Sequence, residues 1–113
     1  MANLRQFNKG EAITITVTPE TGVTLTDPVL YVYPDALDLD NSPDVNKIHE
    51  IRNPSVSGSI YTFTITPAIT KSDNMPSGDY TVELKYGSDS AITIVKQNHA
   101  FTLVESGYNK KVN

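Results

Sequence analysis

The sequence contains no cysteine. Disulfides, thiolate nucleophiles and cysteine–zinc sites are therefore excluded, and a small disulfide-stapled extracellular scaffold is argued against. Long apolar runs are missing too: none approaches the roughly 20 residues that a membrane-spanning helix requires. Basic residues are few, nine Lys and Arg against thirteen Asp and Glu, for a net charge of -4. They form no stripe that could follow a phosphate backbone, so nucleic acid is not an expected partner. The opening "MANLRQFNKGEAITITV" lacks a basic segment followed by an apolar one, and no signal peptide is expected. These absences lead to the expectation of a soluble protein made in a cytoplasm. Met1 and the polar end "SGYNKKVN" read as the limits of a complete small protein.

Helical periodicity is also lacking. What is present is β-branched and aromatic residues in short alternating runs, separated by Gly, Pro, Asn, Asp and Ser; these types favour strands and turns. A chain of 113 residues fits one domain, which buries about two-thirds of its unfolded surface.

"EAITITVTP" sets Ile13, Ile15 and Val17 against Thr14, Thr16 and Thr18, and Pro19 ends it. A loop to Pro28 precedes "VLYVY", which Pro34 stops. The segment 34–47 has room for one helical turn, "KIHEIR" is a short strand, and "NPSVSGS" reads as a turn. "SIYTFTIT" points Tyr61, Phe63 and Ile65 at the core. Tyr80, Val82, Leu84 and Tyr86 do the same in the next strand, and "GSDS" turns the chain back. Ala91–Glu105 would span about 50 Å as one strand. Its apolar parity also slips from Ile92 and Ile94 to Phe101 and Leu103. Two strand pieces, broken by a bulge or turn within "VKQNHA", are predicted.

The expected fold is all-β: an immunoglobulin-like antiparallel β-sandwich of seven or eight strands, with a small β-barrel as the alternative. The domain is expected over 9–106, between an N-terminal arm, 1–8, and a C-terminal tail, 107–113. "SGDY" before "TVELKY" has the form of a tyrosine corner, in which Tyr80 bonds backward to the chain leading into its strand.

Chemistry-bearing groups are sparse. Asp35, Asp38, Asp40 and Asp44 form the acidic cluster of the chain. Asp38, Asp40 and Asp44 are candidate calcium ligands at alternate positions. However, Pro43 stands where a calcium loop needs its glycine, and His49 where it needs its closing glutamate. The two histidines, His49 and His99, are too few and too far apart for hydrolytic zinc, and His99 is placed beside the bulge rather than in a site. No G-x-S-x-G turn is present. The expectation is a non-enzyme without cofactor. Tyr31 and Tyr33 share one face of their strand, as core, subunit contact or sugar platform. Leu4, Phe7, Tyr108 and Val112 are the apolar anchors that terminal arms would offer a neighbouring subunit.

Residue order adds a resemblance. "FNKGEAITITVTP", "VLYVYP", "YTFTITPAITKSDNMPSGDYTVELKYG" and "HAFTLVESG" resemble, in that order, the strands of immunoglobulin-like modules in tailed-phage virion proteins. The N-terminal module of baseplate upper proteins is similar, as are capsid decoration and head-fibre domains. The resemblance covers about Phe7 to Gly107 and brings no site residues with it. It implies a structural role in a virion, made in the host cytoplasm. Such a module works by protein–protein contacts with other virion proteins, as a homo-oligomer or in many copies. The alternative is a carbohydrate-binding or adhesive module that recognises a host glycan.

Overall fold

A computed structural model describes residues 5–112. Among these, eight strands form two sheets. One sheet holds β1 (Gln6–Asn8), β3 (Val29–Pro34), β4 (His49–Ile51), β7 (Gly78–Ser88) and β8 (Ala91–Val104), in the order β1-β8-β7-β3-β4. The other holds β2 (Ile13–Val17), β5 (Ser55–Ser57) and β6 (Ile60–Ile65), in the order β2-β6-β5. A 3-10 turn, Val45–Lys47, and two short helices, α1 (Pro67–Thr70) and α2 (Gly107–Val112), complete the chain. The sheets pack as a sandwich and do not close into a barrel.

Alternation decides which residues lie between the sheets. Ile13, Phe63 and Ile65 from the three-stranded sheet meet Leu30, Val32, Val82, Leu84, Phe101 and Leu103 from the other. Each fully buried side chain of this size contributes about 1.5–3 kcal/mol. Tyr80 sits at the centre, wholly buried and stacked on Phe101 at 5.3 Å. Its hydroxyl donates to the Pro76 carbonyl oxygen at 2.6 Å, which is the backward bond expected of a corner tyrosine. Burial pushes its phenol pKa well up, so it stays a neutral donor.

Several expectations need correction. "NPSVSGS" is not only a turn: Ser55–Ser57 pairs with β6, and Gly58, at φ +60°, opens a two-residue hairpin. Of the expected N-terminal arm, Gln6–Asn8 is not free, because it lies parallel to Thr102–Val104 of β8. The C-terminal tail is likewise folded, as α2. Ala91–Val104 is one strand and not two pieces. It fits because the β7–β8 hairpin projects past the sandwich and stretches the molecule to 46 Å.

The bulge in β8 is present, but it does not change parity. Tyr80 pairs with Phe101 and Val82 with Gln97, so Thr81 alone stands opposite Asn98, His99 and Ala100. The bulge adds an even number of residues, and odd-numbered β8 residues face inward on both sides of it. Ile92 and Ile94 simply occupy the outer face.

The base of the sandwich is tied by side chains. Buried Thr70 donates to the Glu11 carbonyl oxygen at 2.7 Å and accepts from the Gly10 N–H at 3.1 Å. Ser106 Oγ accepts from the Asn109 N–H and donates to the Lys9 carbonyl oxygen. This joins the start of α2 to the link between β1 and β2. The cavity of about 440 Å³ beside it is polar, and Lys9 there donates across to the Ser72 carbonyl oxygen. Thr70→Val keeps the volume and strands two backbone groups. It is expected to lower stability by about 1–3 kcal/mol, read as a shift in the urea midpoint with an unchanged slope.

Candidate functional site

β1 covers only the last residues of β8. Its register ends at Gln6 opposite Thr102, and the Arg5 side chain closes it by donating to the Ala100 carbonyl oxygen at 3.1 Å. From Ala91 to His99, β8 has β7 on one side and no strand on the other among the described residues. Every residue of that stretch is exposed. β2 likewise has β6 on one side only. Two open strand edges therefore flank one side of the sandwich.

An apolar cleft runs between these edges. It consists of adjoining cavities of about 280 and 460 Å³ that share Val17, Leu84 and Val95. Ile15, Leu30 and Ala100 line the first; Val23, Leu25 and Tyr86 line the second. Val95 pairs with Leu84 on the inner face of the hairpin, yet it stays 55% exposed because no strand among the described residues lies beyond β2 to cover it. On the outer face Ile92 and Ile94 are also open, Ile94 at 58%. Exposed neighbouring aliphatic side chains on an unpaired edge are the features that strand edges normally avoid.

The residues singled out from sequence fall in different places. Leu4 lies outside the described residues. Phe7 packs edge-on against Phe101 at 5.8 Å and joins the core margin, so it is not an exposed anchor. Tyr33 is also no surface contact: it is 5% exposed and its hydroxyl donates to Glu83 Oε1 at 2.9 Å. Burial first, then Glu83, pushes its phenol pKa up. Tyr31 is half-buried between Glu50 and Glu83. Tyr108 and Val112 are exposed on α2.

The calcium candidates are not brought together. Asp38 accepts from the Asp40 N–H and from Asn41 Nδ2, and these bonds hold its carboxyl below the usual range. Asp44 caps the 3-10 turn and pairs with Lys47, with the same effect. Asp40 joins neither in a metal-sized group among the described residues. The group that has such spacing is a different one, Asp35, Asp79 and His99, whose ligand atoms lie within 4.8 Å of one another.

Sequence reading expects free sheet edges but does not place them on β8, and it misses this group. Ile92 and Ile94 carried the signal for the first, since their parity opposes that of Phe101. No helix among the described residues is long and apolar enough to cross a membrane. No protein-family model matches the chain, and no curated protein sequence does so either.

Proposed function

We propose that this chain is a non-enzymatic structural module of a virion, made in a host cytoplasm, which assembles through its open strand edge. The observation that carries the reading is the unpaired stretch of β8 beside an apolar cleft. Backbone groups on such an edge favour an added strand, and the cleft offers room for alternate side chains. A second copy of the chain is the first partner expected. Edge-to-edge pairing of β8 with itself is self-complementary and generates a closed two-fold contact.

The immunoglobulin-like assignment belongs to the same proposal. Three features support it: β1 parallel to β8, the β8-β7-β3-β4 order facing β2-β6-β5, and the bond from Tyr80 to Pro76. The resemblance to tailed-phage modules supplies the virion setting. The sugar-binding alternative gains no comparable support, because Tyr31 and Tyr33 do not form an exposed pair.

The test is the double substitution Ile94→Lys with Val95→Glu. Both side chains are exposed, so folding stability should change little. Charges placed in the contact must be desolvated on association. Self-association measured by sedimentation is expected to weaken about tenfold or more. Association at native strength would rule the β8 edge out.

A further inference from the structure

We infer that Asp35, Asp79 and His99 form a site for a divalent transition-metal ion of the zinc type. The three residues come from separate segments: the end of β3, the start of β7 and the bulge of β8. The sheet register makes them converge. Pro34, Tyr80 and Phe101 stand in one cross-strand row. Asp35 follows the first of these residues, Asp79 precedes the second, and His99 lies two before the third.

The carboxylates are held in matching ways. Thr81 Oγ1 donates to Asp35 Oδ1, and Thr102 Oγ1 donates to Asp79 Oδ1 at 2.6 Å. The Oδ2 atoms of both aspartates turn to His99 Nδ1, that of Asp79 from 3.7 Å. Hydroxyls that fix one carboxylate oxygen and aim the other inward are the usual outer support of metal ligands. His99 holds a left-handed backbone, φ +53°, inside the bulge, which turns its ring toward the aspartates.

An independent observation points to a cation. Asp35 Oδ2 is buried and accepts no hydrogen bond. His99 Nδ1 approaches it within ion-pair range, but not in hydrogen-bond geometry. One ring nitrogen carries at most one proton and cannot serve two carboxylate oxygens at once. A divalent cation would satisfy all three ligand atoms. Tetrahedral zinc, with bonds of about 2.1 Å, asks for ligand atoms about 3.4 Å apart; Asp79 Oδ2 and His99 Nδ1 stand at 3.7 Å, whereas the Asp35–His99 contact is closer and has to open to admit an ion. An imidazole nitrogen with two carboxylate oxygens suits zinc and its first-row neighbours, whereas calcium and magnesium prefer oxygen throughout. His99 is 73% exposed, so water has access to the remaining coordination position.

The test titrates the chelator-stripped full chain with zinc chloride by calorimetry, and with cobalt(II) by visible absorption. Saturable binding of a single ion per chain is expected, with a tetrahedral cobalt spectrum and a thermal midpoint that rises with zinc. His99→Gly suits the left-handed backbone and should fold. Asp79→Asn changes an exposed side chain. Each is expected to weaken zinc at least about tenfold, while His49→Ala leaves it unchanged. Absence of saturable zinc binding would overturn the inference. So would zinc binding that persists at native strength in His99→Gly or Asp79→Asn.

Discussion

Tyr80→Ala is expected to destabilise the protein by about 3–5 kcal/mol, enough to unfold much of the population of a marginal domain. The side chain is wholly buried, stacks on Phe101 and reaches Pro76 through its hydroxyl. Truncation removes the ring and leaves a cavity where the two sheets meet at the corner. Tyr80→Phe separates these contributions. It keeps the ring and strands only the Pro76 carbonyl, so a loss of about 1–2 kcal/mol is expected. Urea unfolding of both variants checks the pair. Equal losses would show that the hydroxyl bond, and not the stacking, holds the corner.

Gly87→Ala is the second large effect, expected at about 2–3 kcal/mol. Gly87 has φ +109°, and a Cβ there would lie 2.2 Å from the Ala91 carbonyl oxygen. That oxygen is backbone on the facing strand, so the hairpin itself must give way. The Gly87 N–H also donates to the Thr26 carbonyl oxygen at 2.8 Å, which ties the hairpin to the loop before β3. Damage should therefore concentrate in the projecting half of β7–β8. Amide exchange is expected to accelerate across 83–97 with little change in β2 and β6. Gly58→Ala is the control. Gly58 is also at positive φ but has open space around it, so only the backbone penalty of about 1 kcal/mol remains. Equal effects of the two substitutions would show that the close approach at Gly87 is relieved at no cost.

Much of the sandwich is legible in the residues because its strands are buried on one face. Ile13, Phe63, Ile65, Val82 and Leu84 alternate with polar neighbours, and all lie between the sheets. β5 was not legible for the opposite reason. Ser55, Val56 and Ser57 are all exposed, so the strand exists through backbone pairing and leaves no alternation. The length of β8 is not legible, because a compact outline leaves no room for so long a strand and only the projecting hairpin provides it. The parity slip that predicts its bulge has another cause: Ile92 and Ile94 face outward. The Asp35, Asp79 and His99 group depends on pairing register, which single-strand patterns do not carry. Once Pro34, Tyr80 and Phe101 are known to share a row, the meeting of their neighbours follows. Polar flanks give the terminal anchors the look of arms. Phe7 instead closes the core edge, and α2 is fixed by Ser106 and Asn109 through backbone and side-chain bonds.

Assembly through the open β8 edge is tested most directly by solution mass, measured by size exclusion with light scattering over a hundredfold range of concentration. A mass that rises from 12.4 kDa toward a fixed symmetric multiple, with slowed amide exchange confined to 91–97, is the predicted result. A chain that stays at its monomer mass throughout, with exchange at 91–97 independent of concentration, would contradict it.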